Sequence, residues 1–345
     1  MLRTQQRDLD AGDVLPATVG RRDRWRSLLT GRIAERYALL GAWVLVIVLF
    51  GILRPDTFLT SANFESILGS QAVLVVLALG LLVPLTAGDY DLSIAGTLTI
   101  TSMIVAVLNV EQHVAIGVAI AAAIGAGVLV GVVNGALIVG LGLDAFIVTL
   151  GTSTLLQGLT FWISSSQTIS GISQGLVNAV IGHRLLGVPL EFYYGLALCV
   201  VFWYALEHLP LGRRLLFVGR GRSVARLSGL DVGRMRFSAF VVAGAVSAIA
   251  GVMYAGTTGA ADPTSGTSFL LPAFAAAFLG ATSITPGRFN AWGTFIAVYF
   301  LVTGITGLQL LGVQSFVQQL FYGGALILAV ALSHLTRGRR APDPT

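Results

Sequence analysis

The sequence predicts an all-α integral membrane protein: a polytopic bundle of about ten transmembrane helices with both termini in the cytoplasm. Three observations predict it. Only 11% of residues are charged and the mean hydropathy is +0.84, whereas a soluble domain carries roughly 25% charged residues. Apolar runs of spanning length recur along the chain. The arginines gather in alternate connections between those runs.

Residues 1–36 read as a polar cytoplasmic tail carrying Arg3, Arg7, Arg21, Arg22, Arg24, Arg26, Arg32 and Arg36. No apolar run with a small-residue cleavage site opens it, so it is not a secretory signal. A transmembrane domain then occupies 37–335. Crossing the hydrocarbon takes about 20 apolar residues. Runs near that length occur at 37–53, 71–87, 92–110, 114–139, 145–163, 190–209, 237–257, 269–284, 290–311 and 315–335. The eighth is short and contains Pro272. Residues 336–345 form a C-terminal tail.

Threading the chain with its N-terminus inside tests this count. The inside segments hold 19 of the 21 arginines: eight in the N-terminal tail, seven in 210–236, then Arg288, Arg337, Arg339 and Arg340. Only Arg54 and Arg184 fall outside. Short loops rich in Arg stay in the cytoplasm, so the bias supports an even number of spans. The same arginines account for the pI near 9.8 without a nucleic-acid partner. None of the basic residues is Lys. The chain therefore lacks the lysine of a phosphate-binding Gly-x-x-x-x-Gly-Lys-Ser/Thr loop, and a lysine Schiff base is excluded. Cys199 stands alone, and His113, His183, His208 and His334 have no metal-ligand spacing.

The segment PLGRRLLFVGRGRSVARLSGLDVGRMR (210–236) is the one long polar interruption among the spans. Within it, SVARLSGL (223–230) predicts a short helix with Ser223 as N-cap and Val224, Leu227 and Leu230 along one side. Gly229 then breaks it. A small amphipathic helix on a basic loop suits docking of a soluble partner. The alternative is a solvated loop whose arginines set topology and touch anionic lipid.

Polar residues within the spans need a reason. GDYDLSIAG (88–96) places Asp89 and Asp91 at an interface or facing a cavity, since an isolated charge in hydrocarbon is expensive. Asp91, with Leu92-Ser93 after it, either caps a helix or lines a path. Thr149, Ser153, Gln157 and Thr160 draw one stripe down the fifth span. They either bond to neighbouring helices or form the wall of a path for an uncharged, hydroxyl-rich solute. Gly127, Gly131 and Gly135, and later Gly244, Ala248, Gly251 and Ala255, are spaced for close helix packing.

Four stretches resemble the permease subunit of bacterial ATP-binding-cassette sugar importers of the ribose/xylose/galactose type, over about 70–335. GDYDLSIAG resembles the family's Gly-Ile-Asp-Leu-Ser-Val-Gly signature. NGALIVGLGLDAFIVTLGT (134–152) resembles its Asn-Gly…Pro-Phe-Ile-Val-Thr-Leu-Gly-Thr stretch. The 210–236 segment resembles its Gly-Arg…Ala-Arg-Leu-Ser-Gly-Ile loop, and LGATSITPGRFNAWGT (279–294) its Gly-Gly-Thr-Ser-Leu…Gly-Gly-Arg-Gly segment. Asp89-Tyr90, Asp144-Ala145 and Pro286-Gly287 depart from that pattern.

The resemblance implies a permease of the bacterial inner membrane that forms the path for a monosaccharide or related polyol and has no ATPase site of its own. It implies a second permease copy, a cytoplasmic ATPase that binds the ATP, and a periplasmic or lipid-anchored solute-binding protein. Arg222, Ser223, Ala225, Arg226, Leu227, Ser228, Gly229 and Leu230 would couple to the ATPase. Asp91, Ser93, Thr149, Ser153, Gln157 and Thr160 would line the path. No cofactor is expected in this chain. The competing readings are a branched-chain amino-acid permease of the same superfamily and an ion-coupled secondary transporter.

The arginine split makes a direct prediction. Reporter fusions at residues 220 and 340 should both read cytoplasmic, and one near 175 periplasmic. Opposite sides for 220 and 340 would break the ten-span threading.

Overall fold

The computed structural model describes residues 21–314 and 316–338, with side chains described for 36–314 and 316–331. The expected N-terminal tail lies outside the described residues up to residue 20, and the C-terminal tail from residue 339. The elements run α1 (Arg21–Leu53), α2 (Pro55–Phe58), α3 (Ser61–Ser70), α4 (Ala72–Thr86), α5 (Ser93–Ala106), α6 (Ile116–Gly135), α7 (Ala145–Ile163), α8 (Gln174–Val177), α9 (Leu190–Trp203), α10 (Pro210–Arg220), α11 (Arg222–Leu227), α12 (Val232–Thr258), α13 (Thr267–Gly280), α14 (Ala291–Leu310) and α15 (Phe316–Gly338). Two-residue strands β1 (Ile169–Ser170) and β4 (Ala260–Ala261) pair antiparallel, as do β2 (Arg184–Leu185) and β3 (Val188–Pro189).

Among the described residues, eight helical stretches are long and apolar enough to cross a membrane: 36–53, 61–86, 93–111, 116–140, 145–163, 190–208, 232–258 and 291–310. Two shorter apolar helices, Thr267–Gly280 and Phe316–Ala331, lie where the other two of the ten apolar runs were expected. The protein is therefore an all-α, multi-pass membrane protein.

Two boundaries move for local reasons. The second span begins at Ser61, not 71, because Thr60 caps α3: its hydroxyl accepts the Asn63 amide at 3.2 Å. Asn63 and Glu65 had masked that turn in the hydropathy. The seventh begins at Val232 because Asp231 caps it, accepting the Arg234 amide at 3.0 Å. Its first turn carries Arg234 and Arg236, which read as loop residues on charge alone.

Every residue of α4 is buried, as expected of a helix that is apolar all round. Helix α12 packs along α4, α5 and α6. The small-residue stripes meet here: a Cβ on Gly244 would strike the Gly127 carbonyl, and one on Gly251 the Leu98 carbonyl. Lipid supplies no hydrophobic force between helices, so such close backbone approach is what holds them.

The bundle has two distinct ends. At one, the 88–91 turn, α10, α11 and the 281–290 segment come together with Arg36, whose carbonyl accepts the Ile284 amide at 2.9 Å. At the other, β1–β4 ties the 164–189 connection to the residues after α12, and Arg184 pairs with Glu65 at 2.8 Å.

Candidate functional site

The basic 210–236 segment is mostly helical. Pro210 occupies the first turn of α10, where its missing N–H costs nothing. Gly212, Leu215 and Val218 are buried on one face of α10, and Arg213, Arg214 and Arg220 are exposed. Helix α11 then begins at Arg222. It is preceded by Gly221 and has no side-chain cap, which corrects the expectation of Ser223 as N-cap. Its inward residue is Ala225, which packs with Val218, Val232 and Leu230. The expected apolar side is therefore split. Leu230 turns onto the cluster, while Val224 is 55% and Leu227 89% exposed. Gly229 adopts a φ of +79°, the left-handed turn that ends the helix. Arg226, Ser223 and Ser228 are also exposed.

Arg222 finds its carboxylate within the chain. Its guanidinium donates to Asp89 at 2.7 Å and to the Gly88 carbonyl at 3.1 Å. Arg236 closes on the same carboxylate with a fork, Nε at 2.7 Å and a terminal nitrogen at 2.8 Å. The Asp89 side chain is 3% exposed, against 43% for Arg222 and 14% for Arg236. Bidentate charge-assisted bonds are the strongest a side chain makes, and burial requires that this charge be paired.

The turn that carries Asp89 reaches four helices within a few residues. Gly88 reverses the chain after α4 with a φ of +80°. Tyr90 stacks on Phe274 and Phe278 of α13, with ring centres 6.5 and 6.4 Å away. Asp91 accepts the Ser93 amide at 2.9 Å and its hydroxyl at 2.6 Å. Asn134 of α6 donates to the Ser93 hydroxyl at 2.8 Å, and Thr152 of α7 donates to Asn134 at 2.7 Å. The Leu92 amide donates to Thr149 at 3.0 Å. Asp91 thus bonds at the start of α5 and leads a buried relay into α6 and α7.

The stripe on α7 faces α5 and the segment after α12. Thr149 and Thr160 are fully buried, their hydroxyls bonded to the carbonyls of Ala145 and Leu156. Ser153 packs against Gly96, and Gln157 donates to the Pro263 carbonyl; both are half-buried. Asn134, Thr152 and Arg236 were missed from sequence. Asn134 and Thr152 bound the 134–152 stretch that carries part of the resemblance, but neither was assigned a role: Asn134 is a lone amide in an apolar run, and Thr152 lies one residue off the stripe.

Residues 63–330 match the family described as "Branched-chain amino acid transport system / permease component". Over 301 residues the chain is 31% identical to the D-allose transport system permease protein AlsC of Escherichia coli, covering 87% of this chain and 92% of that one. Over 297 residues it is 36% identical to the ribose import permease protein RbsC of Bacillus subtilis, covering 85% and 90%. Over 321 residues it is 31% identical to the L-arabinose ABC transporter permease protein AraH of Azospirillum brasilense, covering 89% and 94%. No solved structure matches the chain.

Burial pushes the Asp91 carboxyl up from 3.8 to about 6; the Ser93 bonds oppose this and the neighbouring Asp89 charge adds to it. Between those values the folded protein holds a proton that the unfolded chain has released. The contribution favours folding at low pH and is lost as pH rises through about 6. Purified wild-type protein should therefore lose more thermal stability between pH 4 and 6.5 than Asp91→Asn does. Equal slopes in the two Tm profiles would contradict this.

Proposed function

The chain belongs to the family of permease components of branched-chain amino-acid-type transport systems, and on that premise we propose that it is the membrane subunit of a bacterial ATP-binding-cassette importer for a monosaccharide. The observation that carries the sugar is the breadth of the likeness. Relatives named for D-allose, ribose and L-arabinose match over nearly their whole length. The family description also covers branched-chain amino acids, but these relatives favour a sugar. The three sugars share a hydroxyl-rich, uncharged chemistry, which suits the neutral groups of the α7 stripe.

In this reading the chain lies in the inner membrane and works with a second permease copy. The lysine-free sequence leaves ATP to a separate cytoplasmic ATPase. Positive-inside topology puts the arginine-rich end in the cytoplasm. There the exposed face of α11, with Ser223, Val224, Arg226, Leu227 and Ser228, meets the ATPase. Ala225 and Leu230 seat the helix on its own subunit, and Gly229 sets its exit. The opposite end, with the 164–189 connection, meets a solute-binding protein. Ser153, against Gly96, and Gln157, on the Pro263 carbonyl, border the translocation path from half-buried positions, and Asp91, Ser93, Thr149 and Thr160 brace the wall behind them.

Reconstitution in liposomes with the ATPase and binding protein tests this, using radiolabelled D-allose, D-ribose and L-arabinose. At least one sugar should stimulate ATP hydrolysis and enter only with ATP. Leu227→Asp buries a charge at the interface and should reduce ATPase retention or coupled uptake by about tenfold or more. Gln157→Leu should slow uptake with the ATPase retained. Uptake driven by an ion gradient without the ATPase, or wild-type behaviour of both variants, would overturn the reading.

A further inference from the structure

The 88–93 turn is bonded on both sides. On one side is α11, whose outer face projects from the bundle. On the other is the buried relay from Asp91 through Ser93 and Asn134 to Thr152. Resting on the proposed function, we infer that Asp89 is a positioning residue for coupling: through Arg222 it links α11 to the turn that sets α5, α6 and α7. Neither the family match nor the named relatives assign this role.

The argument rests on how the two arginines differ. Arg236 stands on α12, which packs along α4, α5 and α6, and it grips Asp89 with two bonds from a largely buried position. It is the anchor. Arg222 is the first residue of the six-residue α11, makes a single bond to the carboxylate and is nearly half exposed. It is the lever.

Helix α11 has little else to hold it to the bundle. Its one buried residue is Ala225, in a small cluster with Val218 and Val232. A partner that pushes or tilts α11 therefore acts on Asp89 through Arg222. Two cations on one acid also solve an energetic problem. If Arg222 is drawn away, the Arg236 fork still holds the buried charge, so the lever can shift without leaving Asp89 unpaired.

The path beyond Asp89 is short and directional. Two residues on, Asp91 holds both the amide and the hydroxyl of Ser93 at the first turn of α5. Between them, the Leu92 amide is fastened to Thr149 of α7, and Tyr90 rests on the aromatic face of α13. A displacement of the turn is thus passed to three membrane helices through bonds, and to a fourth through ring packing.

The test uses the full complex in liposomes, comparing wild type with Arg222→Ala, Arg222→Lys, Asp89→Asn and the double variant Asp89→Asn/Arg222→Ala. Two quantities are read: ATP hydrolysed per sugar imported, and ATPase retained on purification. Arg222→Ala and Asp89→Asn should each raise the ATP-per-sugar ratio by about threefold or more, and the double variant no further than the worse single. Arg222→Lys should restore coupling in part, and retention should stay at the wild-type level.

Hydrogen exchange adds a readout that needs no transport: both Arg222→Ala and Asp89→Asn should speed exchange in 222–230 and in 88–95. A merely structural pair would lower abundance and uptake in step, with the ratio unchanged, and that result overturns the inference. Additive effects also overturn it. So does loss of the ATPase in Arg222→Ala, which would make Arg222 a direct contact of the partner. Failure of the wild-type complex to import any sugar with ATP would be a failure of the proposed function instead.

Discussion

A carboxylate buried at the end of a membrane bundle has to be paired, and Asp89 is that carboxylate, held by two arginines. Leaving a buried charge with no partner costs about 3–5 kcal/mol, so the largely buried Arg236 fork is constrained to stay on Asp89, while the more exposed Arg222 adds a weaker, solvent-screened contact. Arg236 fixes the first turn of α12 against the end of α4. Arg222 fixes the start of α11 beside Gly88. The turn between α4 and α5 is thereby held, and with it the point from which the Ser93–Asn134–Thr152 bonds begin. The α4–α5 turn, the start of α11 and the first turns of α12 are joined through this one charge.

Away from that end the forces change character. Within the spans, the helices described here meet through small residues and neutral hydrogen bonds. Gly127 against Gly244 and Gly251 against α5 bring backbones into contact. Between helices, Asn134 of α6 bonds to Ser93 of α5 and Thr152 of α7 bonds to Asn134. Such bonds are worth little singly, about 0.6 kcal/mol on average. Together they pack α4, α5 and α6 closely around α12. Strong, directional charge contacts at one end and close neutral packing in the middle suit a permease, where force enters at the cytoplasmic face and a polar solute passes through the interior.

Much of this was legible in the sequence, because membrane insertion imposes a strong pattern. Hydropathy located the apolar elements, and the α7 boundaries matched exactly at 145 and 163, since Asp144 caps its start and leaves a sharp edge. Arginine content placed the basic segments together at one end. The glycine stripes named the packing faces of α6 and α12. The helix in SVARLSGL and its break at Gly229 were legible as well. What stayed hidden depended on tertiary partners. Charge alone could not reveal that Arg222 turns inward to Asp89, or that Arg236 belongs to a helix and not to a loop. Periodicity drew Val224, Leu227 and Leu230 as one side for docking a partner, but could not show that Leu230 turns back onto the subunit or that Ala225 seats α11 above Val218. Asn134 opens the 134–152 stretch that resembles the family, but one amide in an apolar run has no periodicity to show what it bonds.

The central claim is that α11 is the contact between this membrane subunit and an ATPase. Its most direct test is site-specific photocrosslinking in intact cells, with a photoreactive residue at Leu227 and, as the opposite-end control, at Leu186, which is 91% exposed. The crosslinked partner is identified by mass spectrometry. The account predicts that position 227 captures an ATP-binding-cassette ATPase and that position 186 does not. Capture of only lipid at 227, or of the ATPase at 186, would contradict it.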